Sequence, residues 1–573
     1  MKHFKHLNRF AKYLLKYWKV QAVVTFFGIV TIPMTLLNPY LTKIGIDKAY
    51  GHKDMKLFLI LVVIGGSAFI LNGVITTFTG YLSNYINRNI NFDLTLDVFK
   101  KLQRVPLSFF SNRTTGEHIY KLHADVRAVG DFICNVTPQL IITIPKLIFL
   151  IGLVFSLNFN MALFSILLVP ITYIQPFIFG KWMREIQQKT VLKAQGIYAE
   201  LQEVFSHIHL IKALGKEKEE INKFEENLSK RRELELQNAK VSNIGGFSNS
   251  VLGKIVSGLI GLYGGYNVIK GTITLGSLTA IMIYLKQMTG LLKSLGQTYQ
   301  TIVVNSVSRN RLAELIDQTE EKTAENPIII DNIRQGIEFK NVGFSYDGKE
   351  KVIDDLNFKI SKGEKIALIG GSGTGKTTML SILLGLYEAS DGKVSIDGVE
   401  ISEIEKESFR SKIGIVLQEP FLWNDTIKNN ILYGKPKATD EELFNAARIT
   451  CVDTFIDRFE DKYDSNIGEM ACKISEGQKQ RIALARAIIH HPQLIILDEA
   501  LSNVDSETEE KIINNLKEKL KDSIVITVSH RLSTVRKMDK IYFLENKKTV
   551  TIGTHEELLA KNAKYRELFV GQL

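Results

Sequence analysis

The stretch "EKIALIGGSGTGKTTMLSILLGLY", residues 364–387, decides how the second half of this chain folds. Its uncharged run, residues 366–369, is short and apolar, as a strand buried on both faces requires. The pattern G-x-x-x-x-G-K-T follows, and then an apolar helical segment. Strand, glycine-rich loop and helix in this order make a phosphate site. The glycines permit a tight loop whose N–H groups wrap the phosphates, and the helix N-terminus adds its dipole. Gly370, Gly371, Ser372, Gly373, Thr374, Gly375, Lys376, Thr377 and Thr378 form this loop. Lys376 reaches the β- and γ-phosphates, and Thr377 supplies a Mg²⁺ ligand. A chance match to the pattern would lack the flanking strand and helix.

Outward from the loop, "IEFKNVGFSY", residues 337–346, alternates like a strand. "LIILDE", residues 494–499, is an apolar strand ending in two carboxylates. Asp498 suits Mg²⁺ coordination, through water, and Glu499 suits polarising an attacking water. The alternative is an acid pair on the surface at a strand end. "ISEGQ", residues 474–478, opens a predicted helix, where free N–H groups and the dipole favour an anion. There Glu476 already places a carboxylate.

The first half reads differently. The chain has 573 residues, too many for one ordinary domain, and its long uncharged runs all precede about residue 310. The formal net charge of +11 fits nucleic acid in isolation, but the apolar runs favour a membrane as the partner. Cys134, Cys451 and Cys472 follow no zinc spacing and are expected as free thiols. Lys2, Lys5, Arg9, Lys12, Lys16 and Lys19 precede the first apolar run, which places the N-terminus in the cytoplasm. Uncharged runs lie between Lys19 and Lys43, between Lys56 and Arg88, and between Lys146 and Lys181 with a break at "LNFN", residues 157–160. Two more spans fit within residues 251–292. Six helices are therefore expected, with both termini inside. Lys146 and Lys286 fall near mid-bilayer, at roughly 15–18 Å from the outer helix ends. Neither has an acidic residue in its own span. Each faces an aqueous substrate cavity or snorkels to the inner interface, as do Lys254 and Lys293.

The P-loop, "ISEGQ" and "LDE", in that order and spacing, resemble the ATP-binding cassette family, specifically its exporters with six helices fused to one cassette. The resemblance covers nearly the whole chain. It implies ATP and Mg²⁺ in the site. It implies that Tyr346 stacks on adenine, that Gln418 of "VLQEPFLW" approaches Mg²⁺ and senses the membrane half, and that His530 of "VSHRLSTV" contacts the γ-phosphate. "SNVD", ending at Asp505, resembles the loop that communicates between cassettes. Residues 106–126 and 211–224 look like the two coupling loops. In this family the signature helix caps the γ-phosphate held by the other cassette. Ser475, Gly477 and Gln478 would thus serve a partner's nucleotide. Glu476 stands where the family has glycine, and it points either away from the phosphate or toward it. Met470 and Ala471 replace the usual Arg-Gly after the position of Glu469.

The expected fold is an all-α six-helix membrane domain over residues 1–318, a linker over 319–336, and a soluble α/β P-loop ATPase domain over 337–573. The resemblance implies an ATPase that drives export of an amphipathic substrate, anionic if the lysines attract it, across the cytoplasmic membrane. The cargo class is a small molecule, lipid or peptide, and the partner a second copy of the chain, since every catalytic position is present in this one. A lipid flippase is the near alternative. An ATP-gated channel is a more distant one, disfavoured by Glu499 and His530, because gating alone does not require repeated hydrolysis. A nucleic-acid-handling ATPase is disfavoured by the spans.

Overall fold

The computed structural model describes residues 7–111, 118–119, 121–168, 171–321, 324–346, 348–371, 373–468, 473–548 and 550–569. Ser372, residues 469–472 and part of the expected first coupling loop, 112–117 and 120, lie outside them. The chain divides into two compact units. One comprises Met1–Leu102 with Gly116–Asp317, and the other Gln103–Thr115 with Gln318–Leu573.

The first unit is helical. Where no water is present to satisfy backbone groups, a helix closes its own hydrogen bonds, so long apolar runs have one economical conformation. Four helices among the described residues are long and apolar enough to cross a membrane, within Trp18–Tyr50, Met55–Arg104, Lys121–Leu157 and Leu275–Tyr299. Phe159–Leu168 is a shorter apolar helix, followed after two undescribed residues by Ile171–Ser206. Glu217–Ile269 is a further long helix. Its apolar part, beyond Val251, is diluted by Lys254, Asn267 and glycines, which is why composition alone does not mark it as a span. The expected break at residues 157–160 falls at Asn158, which is extended (φ −166°) and accepts the Met161 N–H on its Oδ1 at 2.9 Å. This is a side-chain cap that restarts the chain as a helix.

Met55–Arg104 has 50 residues, about 75 Å at 1.5 Å each, more than twice a hydrocarbon core. Its C-terminal stretch buries one face, Ile86, Ile90, Leu94, Val98 and Leu102, at a spacing of four. Earlier side chains such as Leu59, Val63 and Phe69 are exposed, a surface that lipid tolerates. The entry helix Leu7–Lys16 is clipped to this helix. Tyr13 donates to Asp97 at 2.8 Å, and Lys16 and Tyr17 converge on Asp93 at 2.7 and 2.8 Å. At the other end Asp47 accepts from the Thr274 hydroxyl (2.6 Å) and the Gly276 N–H (2.9 Å). A Cβ on Gly276 would meet the Lys43 carbonyl at 2.5 Å, so this joint needs glycine. Lys146 is half-buried, and Lys254, Lys286 and Lys293 are exposed.

The second unit holds two sheets. β1 (Gly336–Phe344), β2 (Ile353–Ser361), β4 (Asp391–Ile396) and β5 (Val399–Glu400) form an antiparallel sheet in the order β2-β1-β4-β5. The second sheet has the order β10-β9-β3-β8-β7-β6, from β3 (Lys365–Gly370), β6 (Ile413–Val416), β7 (Leu494–Asp498), β8 (Ile524–Val528), β9 (Lys540–Leu544) and β10 (Val550–Gly553). All its pairings are parallel except β10 with β9. β3 is buried along its whole length, as its uninterrupted apolar run requires. In open parallel sheets, ligands sit outside the carboxyl ends of the strands. Here β3, β8, β7 and β6 are neighbours, so the loops that leave them meet at one edge.

Candidate active site

Register fixes how those loops meet. Leu368 of β3 lies opposite Val528 of β8, Val528 opposite Asp498 of β7, and Leu497 opposite Val416 of β6. Gly370, Glu499, Gln418 and His530 each follow within two residues of these partners.

The loop after β3 leads into the helix Lys376–Leu383. Gly373 and Gly375 have φ of +78° and +95°, a backbone region side chains rarely adopt. A Cβ on Gly370 would lie 2.7 Å from the Leu544 carbonyl. The Lys376 ammonium donates to the Gly370 and Gly371 carbonyls at 2.8 and 2.9 Å. Burial pulls its pKa down, opposed by the carboxylates of Glu499 and Asp498. Asp498 shifts the other way. Burial and then the neighbouring Glu499 raise its pKa, while Lys376 holds it back. Each shift tends to neutralise its group, and each charge opposes that for the other.

Glu499 ends β7 in a left-handed conformation, φ +49°, held by its N–H on the Val528 carbonyl at 3.0 Å. Such a backbone costs a non-glycine residue of order 1–3 kcal/mol and is tolerated where surrounding structure imposes it. Its carboxylate sits between two of the other candidates. Gln418 Nε2 donates to Oε2 at 3.0 Å, and His530 Nε2 lies 3.4 Å from Oε1. Beside Glu499 and His530 is a cavity of about 70 Å³, also lined by Ser502 and by Thr527, whose hydroxyl has no partner among the described residues. The space is large enough for water.

Tyr346 joins the loop from the antiparallel sheet. Its hydroxyl is 3.0 Å from Thr378 Oγ1, and its ring stands edge-on to Phe344 and Tyr387 while remaining exposed.

Ser475 caps the helix Glu476–Ile488, accepting the Gln478 N–H on Oγ at 3.3 Å, and Gln478 Oε1 accepts the Ser475 N–H at 2.9 Å. Ser475 and Gln478 thus form a capping box that rigidifies the motif. The Glu476 carboxylate turns along its own helix to Lys479, 2.7 Å away. No hydrogen bond among the described residues links Ser475, Gly477 or Gln478 to the P-loop.

Three residues that sequence reasoning did not single out join these parts. Arg531, next to His530, donates to the carbonyls of Leu501 (3.3 Å), Val504 (2.9 Å) and Ser502, and to Glu509 at 2.6 Å. Glu509 is buried and also takes the Thr534 hydroxyl. Gln480, fully buried, donates to Ser502 Oγ at 3.1 Å and accepts the Asn503 N–H at 3.0 Å. A Cβ on Gly477 would lie 2.5 Å from the Asn503 carbonyl. The loop 502–505 is therefore clamped by Arg531 on one side and the signature helix on the other. It ends at Asp505, which caps the next helix by accepting the Thr508 N–H at 2.9 Å. The backbone N–H and hydroxyl of Thr508 hold the Asp505 carboxyl below the usual carboxylate range. The sequence signal was thin: an arginine after a histidine already noted, and a buried glutamine two residues after the motif.

Residues 22–292 match the family described as ABC transporter transmembrane region, and residues 353–502 match that described as ABC transporter. The chain is 32% identical over 579 residues to a putative multidrug export ATP-binding/permease protein of Bacillus subtilis, covering 99% of each. It is 31% identical to an ATP-dependent lipid A-core flippase of Desulfotalea psychrophila, covering 96% of this chain and 97% of that protein. Its fold is similar to a bacterial Atm1-family ABC exporter solved with ATP bound, with a TM-score of 0.87 at 24% identity, over 97% of this chain and 99% of that one.

Proposed function

The chain belongs to the ABC transporter family, as a transmembrane region fused to an ATP-binding cassette, and on that premise we propose that it exports an amphipathic substrate across the cytoplasmic membrane by hydrolysing ATP as a homodimer. The observation that carries the hydrolytic half is Glu499, set between Gln418 and His530 at the end of β7, with β8 between it and the P-loop strand β3.

The residues present fit ATP with Mg²⁺. The glycine loop offers backbone N–H groups at positions that side chains would obstruct, and Thr377, Asp498 and Gln418 form an oxygen donor set suited to Mg²⁺, which keeps several waters. Bound Mg²⁺ would offset the phosphate charge. In the proposed mechanism Lys376 leaves its loop carbonyls for the phosphates, and Tyr346 stacks on the adenine. Glu499 orients water and takes its proton, and His530 contacts the γ-phosphate. Ser475, Gly477 and Gln478 serve the nucleotide of the second copy, and Asp505 ends the loop between the two sites. Residues 106–126 and 211–224 carry the closure of the cassettes to the helices, with both termini cytoplasmic. A substrate cavity between the membrane helices then turns outward, and hydrolysis resets it. Lys146 and Lys286 attract an anionic part of the cargo.

Movement of a lipid between leaflets is a second reading, favoured by the 31% identity to the flippase. The test is ATP hydrolysis and transport by reconstituted protein in inverted vesicles. Glu499→Gln keeps ATP binding and lowers turnover by at least about a hundredfold, the scale of a lost general base. Normal turnover in that variant would remove Glu499 from this role. Uptake that requires ATP but survives Glu499→Gln would replace the exporter by an ATP-gated channel.

A further inference from the structure

The start of the first expected coupling loop groups with the cassette, since Gln103–Thr115 joins Gln318–Leu573 in one compact unit. A backbone contact fixes this. The Glu321 N–H donates to the Arg104 carbonyl at 2.8 Å. Arg104 is the last residue of the helix Met55–Arg104, where carbonyls have no partner within the helix. The linker therefore caps that helix, and it does so shortly after leaving the helix Leu275–Ile316.

The Glu321 side chain reaches the cassette. Its Oε2 takes the Lys406 ammonium at 3.2 Å and Nη2 of Arg410 at 3.3 Å. All three groups are partly buried, so water screens their attraction less than on an open surface. The same Nη2 of Arg410 donates to the Gly385 carbonyl at 3.2 Å. Gly385, with φ +63°, closes the helix that begins at the P-loop lysine, Lys376–Leu383. Further on, Ile328 donates to the Glu403 carbonyl at 2.8 Å and accepts the Glu405 N–H at 2.9 Å. The Ile330 N–H reaches Ser408 Oγ at 3.3 Å. The linker is thus laced to residues 403–410, which run into β6 and so to Gln418. One carboxylate sits where the ends of two helices and the approach to β6 meet.

We propose that Glu321 is a positioning residue that couples the cassette to the membrane helices of its own chain. Through Arg410 it holds the far end of the P-loop helix, and through its backbone it holds the end of Met55–Arg104. Movement of the P-loop helix is thereby passed to that helix and to the coupling loop that follows it. This rests on the exporter reading, in which closure of the cassettes moves the membrane helices. It adds what the two coupling loops alone do not supply, a named cassette contact made within one chain. Changes along such a hydrogen-bonded chain alter coupling by roughly two- to thirtyfold.

The test uses full-length protein in lipid nanodiscs and two readouts, ATP hydrolysis and hydrogen exchange. Exchange is followed at residues 43–54 and 270–276, with and without ATP and Mg²⁺, in a Glu499→Gln background that holds ATP without turnover. Glu321→Gln, which keeps the side-chain shape and removes the charge, should hydrolyse ATP within about twofold of the parent protein, while its ATP-induced change in exchange falls about threefold or more. Residues 104–111 should exchange faster in it, with or without ATP. Arg410→Met should weaken the response similarly, and the pair should lose less than the sum of the two, as members of one chain of contacts do. Glu320→Gln removes the same charge from the adjoining residue, whose ion-pair contact is with Arg104 at 3.9 Å, and should keep the full response. A full response in Glu321→Gln, or equal loss in Glu320→Gln, overturns the coupling role and leaves the exporter reading intact. Hydrolysis and response falling together would assign Glu321 to packing. A parent protein whose membrane helices do not respond to ATP would overturn the exporter reading, and the coupling role with it.

Discussion

Arg531→Met tests whether the guanidinium positions the loop 502–505 or merely packs. Arg531 is the cation beside Glu509, whose side chain is 2% exposed, while Arg531 itself is 38% exposed. Removing one partner of a buried pair costs roughly 3–5 kcal/mol. Water reaches this arginine, so a cost below that range, about 2–3 kcal/mol, is expected. At roughly 2–4 °C per kcal/mol for a domain of this size, the cassette melting transition in the full-length protein should fall by about 5–10 °C. Glu509→Gln in the same background removes the stranded charge, so the double variant should be less destabilised than the sum of the singles by about 1.5–2 kcal/mol. Turnover should separate from stability. Three loop carbonyls lose their donor, and misplacing a reacting group by about 1 Å costs up to roughly a hundredfold. Arg531→Lys keeps the charge without the planar fork, so it should recover melting temperature more than turnover. Additivity of the two single variants within about 0.5 kcal/mol would refute the buried pair. Equal recovery of stability and turnover by lysine would refute the positioning role.

Glu476→Gly should change ATPase activity by less than about tenfold, or 1.4 kcal/mol, because it removes an exposed carboxylate whose partner is the partly buried Lys479 on the same helix; a larger gain at equal expression would show that the carboxylate opposes phosphate. Lys286→Ala should reduce transport and stimulation of ATPase by an anionic cargo, with Lys286→Arg retaining more of both. Equal loss in the two variants would assign Lys286 to packing, and full transport by the Lys146→Ala, Lys286→Ala pair would leave snorkelling as the account of both.

Much of the site was legible because its parts are local. A glycine loop between a strand and a helix carries its conformation in adjacent residues, and so does a capping serine three residues before a glutamine. The two carboxylates at the end of β7 were legible for the same reason. The apolar runs and the break at Asn158 follow from lengths and caps written in order along the chain. What sequence could not decide is which loops meet. That depends on the order β3-β8-β7-β6, a set of crossovers that leaves no periodicity behind. Only this order puts Gln418, Glu499 and His530 within hydrogen-bonding range, although 112 residues separate the first from the last. Glu476 was open in the sequence, because a carboxylate in a first helical turn has two directions available, and only the neighbouring Lys479 selects one. Arg531, Glu509 and Gln480 were silent for a related reason. Their importance lies in burial and in carbonyls contributed by another segment, properties of packing that no residue type announces by itself.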